Sequence, residues 1–205
     1  MKRLVSYLKQ EGILATLKRL FGKIFHFKST TVFLMLDRHV EDDPISDSLA
    51  FELLSRQNIC AFERIKFWSF IDTEDFICNS RQSVLLLKNL EEYVAYAAEE
   101  HEQNRIIHKL GCFELKSGQG WIGPVYVSKK WRGNGFNRLL LLKQIHRLRK
   151  MGINKIFTSI NSRNQPSLKS FKKVGFVEIG VVNSRGQIVK LYDDCLNDQF
   201  TYGHF

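Results

Sequence analysis

VYVSKKWRGNGFNRLLL, residues 125–141, is the stretch that decides the fold. It begins with alternating β-branched and aromatic residues, passes through Arg132-Gly133-Asn134-Gly135, and ends in a leucine run. The period of 2 then gives way to Leu141, Ile145 and Leu148, at i, i+4 and i+7, the spacing of one helical face. The stretch therefore predicts a strand, a tight loop and a helix over 136–150, with Gly152 just past the end, where a left-handed residue is wanted. Glycines let the main chain come close to a ligand. The first amides of a helix have no internal partners, and the helix dipole puts partial positive charge there. The loop is thus suited to phosphate oxygens, with the Arg132 charge at its rim.

The next segments extend the pattern. IFTSI at 156–160 predicts a strand, and NSRNQPSLKSFKKVGF at 161–176 predicts a loop and a second helix over 164–173. Pro166 is tolerated in that helix's first turn, and Gly175 closes it. A strand–loop–helix–strand–helix array can form a V between two parallel strands. One limb of a long ligand then pairs with exposed strand backbone, while its pyrophosphate rests on the helix N-terminus.

The segments 125–141 and 161–176 resemble the GNAT superfamily of acyl-coenzyme A-dependent N-acyltransferases, and the resemblance extends over roughly residues 75–192. It implies an α+β (α/β) fold: a mixed, mostly antiparallel central sheet flanked by helices, with a splayed parallel pair at the cofactor site. It implies that Arg132, Gly133, Asn134, Gly135, Phe136 and Asn137 hold the coenzyme A pyrophosphate. Val125 and Val127 match the strand that pairs with the pantetheine arm, and Asn164 and Ser167 match positions near that arm. The implied co-substrate is acetyl-CoA or another acyl-CoA, with no metal. The implied reaction is direct attack of a small-molecule primary amine on the thioester. Three departures stand out. Asn137 replaces the usual Gly or Ala. Phe171 occupies the position of a common tyrosine acid, and Trp121 that of a common carboxylate. Glu99, His101 and Tyr126, near strands that border the opening, are then the catalytic candidates, although each reads more simply as an exposed or core-filling side chain. The missing acid and base also motivate an alternative: a non-catalytic acyl-CoA-binding or regulatory module with the same fold.

Elsewhere the sequence predicts a strand over 31–36, an acidic loop over 41–47, short helices over 48–56 and 73–82, and strands over 84–87, 93–98, 105–115 and 120–127. FVEIGVV at 176–182 and QIVKLY at 187–192 flank Asn183-Ser184-Arg185-Gly186, a hairpin signal. Residues 59–72 give no clear pattern.

The net charge of +10 is unevenly spread. Residues 1–28 carry seven bases against Glu11 alone, a net +6. With Leu14, Leu17, Phe21 and Ile24 at helical spacing, residues 3–27 read as a basic amphipathic helix. It suits an anionic membrane surface, a partner subunit or the domain's own core. Charge concentrated in a leader, without helix-turn-helix, RNP or zinc signatures, speaks against nucleic acid. Two units are expected: the leader at 1–28 and one domain at 29–205, with a second copy of the chain as a further candidate partner. The four cysteines are widely separated, which fits a reducing cytosol. No apolar run reaches the ~18 residues of a membrane span, so the expected location is cytoplasmic, peripheral at the inner membrane surface if the leader binds lipid.

Overall fold

The computed structural model describes residues 30–38, 40, 49–66, 73–107 and 110–203. The helix expected over 3–27 and the loop expected over 41–47 lie outside the described residues. In chain order the elements are β1 (Thr30–Leu36), β2 (Leu49–Leu53), α1 (Ile59–Ile65), α2 (Thr73–Cys78), β3 (Gln82–Asn89), β4 (Glu92–His101), β5 (Asn104–Ile107), β6 (Gly111–Glu114) and β7 (Gln119–Val127). After a 3₁₀ turn at Lys129–Trp131 come α3 (Phe136–Lys150), β8 (Lys155–Asn161), α4 (Gln165–Lys173), β9 (Val177–Asn183), β10 (Ile188–Leu191), α5 (Cys195–Gln199) and β11 (Phe200–Tyr202).

Eight strands form one sheet in the order β10-β9-β1-β8-β7-β4-β3-β2. Its neighbours pair antiparallel, except β7 and β8, which run parallel. The mixed, mostly antiparallel sheet with one parallel pair agrees with the expected fold class. α3 and α4 cover one face, with Leu141, Ile145, Leu148, Leu168 and Phe171 packed on Leu34, Ile156 and Ile160. The other face has two covers. Phe62 of α1 and Phe76 of α2 pack on Val84, Leu86 and Tyr96. A small sheet, β11-β6-β5, and α5 pack on Phe33, Met35 and Phe157 through Phe113, Leu196 and Phe200.

β1 is wedged between β8 and β9. Val32 and Leu34 enter the core under α3 and α4, while Phe33 and Met35 enter the opposite one. A strand buried on both faces reads as a continuous apolar run, which is why TVFLML shows no alternation.

Two expectations are corrected, and one stretch is new. Residues 48–56 contain a strand, β2, rather than a helix. Leu49 and Phe51 pack on one face of the sheet while Ala50 between them is exposed, a period of 2 that five residues barely reveal. Residues 105–115 form two strands, β5 and β6, broken by a turn that ends at Gly111, whose added Cβ would sit 2.2 Å from the Thr201 carbonyl oxygen. The helix and strand over 195–202 were not anticipated. They are short, and their apolar residues find a core only through contact with β6 and β9.

Phe33 is fully buried, with ring centroids of Phe113 and Phe200 at 6.0 and 5.3 Å. Phe33→Ala is expected to cost about 3–5 kcal/mol of stability, read as a lowered midpoint in urea unfolding.

Candidate active site

β7 and β8 are hydrogen-bonded neighbours over three rungs only: Gln119 with Lys155, Gly120 with Ile156 and Trp121 with Phe157. Past Trp121 the register with β8 ends, while β7 goes on pairing with β4 as far as Val127 and Ala95. A shift in that ladder between Ala97 and Glu99 accompanies the parting. The two parallel strands thus form a V that opens toward their carboxyl ends.

The main chain of β7 faces this opening in a defined way. The Ser128 amide donates to the Val94 carbonyl at 2.9 Å, which fixes one hydrogen-bonded rung with β4. Alternate rungs of an antiparallel ladder turn their N–H and C=O outward. The rungs at Val125 and Val127 are the alternate ones, so their polar groups point away from β4, toward the opening. In agreement, the Val127 carbonyl is taken by a residue beyond the strand: Arg132 Nε donates to it at 3.2 Å.

At the top of the V the chain turns through Gly133 (φ 91°) and Gly135 (φ 77°) into α3. A Cβ added at either glycine would meet nothing within 4 Å, so the space beside the loop is open. Gly135 is the N-cap of α3 and the helix start carries no side-chain cap. The first turn of α3 therefore presents uncapped main-chain amides, and Arg132 is exposed beside them. These features fit a pyrophosphate: donors, open space and a cation. Asn137 is half-buried, and its Oδ1 is enclosed without a hydrogen-bond partner among the described residues. Phe136 is buried and packs with Leu140 under β3 and β4, fixing the helix start. Farther along α3, fully buried Gln144 donates to the Ala97 carbonyl at 2.9 Å and ties the helix to β4.

α4 begins beside the carboxyl end of β8. Asn164 is its N-cap, accepting from the Ser167 amide at 3.4 Å. Their first role here is capping. It leaves both residues at the mouth of the V, Asn164 exposed and Ser167 half-buried.

The three catalytic candidates are not brought together. Glu99 is 1% exposed and points to the α3 side. Its Oε1 accepts from Arg147 Nε and from Ser83 Oγ, each at 2.6 Å, while Oε2 is buried without a partner among the described residues. Arg147 lies about 16 Å along the helix from Phe136, at ~1.5 Å per residue. Glu99 is therefore committed to a buried ion pair far from the glycine loop. His101 ends β4 opposite Gly120, half-buried, at the closed end of the V. Tyr126 alone borders the opening. It packs on Tyr96 at 5.6 Å between centroids, with the Arg132 guanidinium 6.0 Å over its ring. Phe171 is 2% exposed and stacks edge-on with Phe176 at 5.1 Å, a core residue.

Sequence reasoning passed over Glu100. It is 3% exposed, hydrogen-bonded to Arg105 and, at 3.3 Å, to Gln103 Nε2. Burial pushes its carboxyl above the usual carboxylate range, against the pull of Arg105. It pairs with Trp121, the last rung before the strands part. Adjacent residues of a strand face opposite ways, so Glu99 turns to α3 and Glu100 to the other side of the sheet. That alternation was the available signal.

A cavity of about 370 Å³, lined by Val40, Ile145, His146, Arg149, Lys150 and Asn154, lies at the far end of α3 and adjoins none of these groups. Among the described residues no group of three or more His, Cys, Asp or Glu gathers as a metal site.

The GNAT acetyltransferase family model matches residues 49–176. The chain belongs to the GNAT acetyltransferase family. The match takes in β2 through α4, hence the V and both helix starts. Mycothiol acetyltransferase of Thermobifida fusca is 31% identical over 58 residues, 27% of this chain and 18% of that protein. The aligned part is thus under a fifth of that relative's length. Among solved structures, a GCN5-related N-acetyltransferase of Sphaerobacter thermophilus has a TM-score of 0.55 at 16% identity, covering 82% of this chain and 54% of that one. A GCN5-related N-acetyltransferase-like protein of Streptococcus suis has a TM-score of 0.52 at 15% identity, over 88% of this chain and 73% of that one. AAC(6′)-Iy, solved with the bisubstrate analogue CoA-S-monomethyl-acetylneamine, has a TM-score of 0.53 at 14% identity, over 63% of this chain and 91% of that one. These likenesses support the GNAT fold.

Gly135→Glu adds a side chain at φ 77° and a carboxylate where phosphate would rest. It is expected to abolish acetyl-CoA binding measured by calorimetry. An unchanged Kd would remove the glycine loop from the site.

Proposed function

We propose that this GNAT chain is an N-acetyltransferase that moves an acetyl group from acetyl-CoA to a primary amine of a small-molecule acceptor by direct attack. The observation that carries this reading is the parted β7–β8 pair, whose outward main-chain groups at Val125 and Val127 lead into the uncapped start of α3. Gly133, Gly135 and Arg132 hold the pyrophosphate, and the strand edge at Val125 and Val127 holds the pantetheine arm. Asn164 and Ser167 flank that arm at the start of α4. Acetyl-CoA, when bound, supplies the activated acyl group.

The chain's own residues then have three tasks. An outward β7 amide stabilises negative charge as it develops on the acyl oxygen. The acceptor must attack as a neutral amine, and alkyl amines hold their proton to a pKa of ~10.4, so a proton acceptor is needed. Both carboxylates are ion-paired, but Glu100 stands opposite Trp121, the last rung before the strands part, and suits this task better than Glu99 on the α3 side. The Glu100 carboxyl is pushed up by burial and sits where the V closes. Tyr126 lines the acceptor side of the opening. Phe171 has no proton to give and lies in the core, so the departing thiolate takes its proton from water or another group at the mouth.

Thiol release from acetyl-CoA across a panel of primary amines tests the reading. Turnover with at least one amine is expected, rising with pH as Glu100 loses its proton, above the ordinary carboxylate value of ~4.3. Glu100→Gln should remove that limb and lower kcat by on the order of a hundredfold or more. Firm acetyl-CoA binding with no thiol release for any amine would instead mark a binding or regulatory module.

A further inference from the structure

Just past the fork, β7 and β8 each carry a residue that the steps above leave unused. Gly123 stands two positions after Trp121, the last β7 residue paired with β8, and Thr158 stands one position after that rung's partner, Phe157. A Cβ built on Gly123 would find two atoms within 4 Å, Thr158 Oγ1 and Trp121 Nε1, each at 3.7 Å. The two groups thus converge on one point, and no side chain fills it because residue 123 is glycine. Thr158 and Trp121 are each 3% exposed. Neither the hydroxyl nor the indole N–H has a hydrogen-bond partner among the described residues, and neither atom is fully enclosed by protein. Buried polar groups are normally paired, so two unpaired ones at one point call for a ligand. An indole N–H can only donate and a hydroxyl can donate, so the pair suits an atom on which negative charge develops.

Its place fits the sulfur of coenzyme A. Ile156 and Ile160, two positions to either side of Thr158, pack in the core under α3 and α4, and residues two apart on a strand share a face. Phe171 of α4, which has no proton to give, belongs to that same core. The Thr158 hydroxyl therefore stands on the side of the sheet where an acid is lacking. The pantetheine arm carries two amide groups before its sulfur. Laid along β7 from the glycine loop, they match the outward main-chain groups at Val127 and Val125. One further two-residue step toward the closed end reaches Gly123 and the two donors.

We propose that the Thr158 hydroxyl and the Trp121 indole N–H hold the sulfur of coenzyme A as it departs. This assignment rests on the acetyltransferase reading and names the groups that replace a general acid in it. The amine nitrogen bonds to the acyl carbon and its proton passes to Glu100. The carbon–sulfur bond then breaks and its electron pair stays on sulfur. Neither donor gives up its own proton, since a hydroxyl and an indole are far weaker acids than a thiol, with its pKa of ~8.5. They stabilise the thiolate by charge-assisted hydrogen bonds, and solvent protonates it afterwards.

The test is the acidity of the thiol of bound coenzyme A. It is read from thiolate ultraviolet absorbance while the full chain, saturated with coenzyme A, is titrated with base, with desulfo-coenzyme A as the blank. The thiol should ionise at lower pH when bound than when free. Thr158→Val, close to isosteric, should raise its pKa by about one unit or more, whereas Thr158→Ser, which keeps the hydroxyl, should leave it in place. Trp121→Phe keeps an aromatic ring beside Phe33 and Phe113 and should raise it in the same direction. Glu99 and Glu100, the charged groups of β4 nearest the fork, keep their arginines in every variant, so the shift reads the two donors. Calorimetry checks that each variant binds coenzyme A. Equal thiol pKa values for Thr158→Val and the unaltered chain, with coenzyme A bound to both, would overturn the assignment and leave the acetyltransferase reading standing. An unaltered chain that binds no coenzyme A would remove that reading, and the assignment with it.

Discussion

The parting of β7 from β8 after Trp121 is the constraint on which the rest of this molecule depends. Two parallel strands that stay paired bury their main-chain groups in each other. Two that separate leave a row of donors and acceptors without a partner strand, a cost unless water or a ligand takes them. The fold holds the strands apart by giving each a different second neighbour. β7 follows β4 through a shifted ladder, and β8 follows β1 from Ile156 to Asn161. The helix that follows each strand then starts at the open end of the V.

β1 has a larger share in this than its place in the chain suggests. It lies outside the segment matched by the family model, yet it supplies the antiparallel neighbour for both β8 and β9. Without it, β8 would hold its place through three rungs to β7 alone. Burial of Val32, Leu34 and Leu36 under α3 and α4, and of Phe33 and Met35 on the other side, locks the far wall of the opening. The same strand begins beside the carboxyl end of β8, where Thr30 Oγ1 lies 2.8 Å from Ser162 Oγ.

Two neighbouring carboxylates show how the sheet divides chemistry between its faces. Glu99 and Glu100 differ by one position and are both almost wholly buried. One is held by an arginine from α3, the other by Arg105 from the small sheet. Burial of a charge without a partner is too costly to persist, and each has found a cation from whatever packs on its own face. The face, more than the residue type, decides which arginine each of them meets.

The sequence by itself determined the strand–glycine loop–helix at 125–150 and the second helix at 164–173, because local periodicity and glycine placement act over a few residues and need no distant partner. It also determined the concentration of charge in residues 1–28. It did not determine β2, whose five residues alternate too briefly, or the break between β5 and β6, or the closing α5 and β11, which depend on contacts with β6 and β9. Nor did it decide which face of the sheet each carboxylate of the Glu99–Glu100 pair occupies, since that is ambiguous until β4 has neighbours on both sides. Only the tertiary structure placed β1 between β8 and β9, fixed Trp121 as the last rung shared by β7 and β8, and turned Phe171 into the core. Those outcomes follow from long-range pairing and packing, in which residues more than a hundred positions apart, such as Thr31 and Asn161, become neighbours.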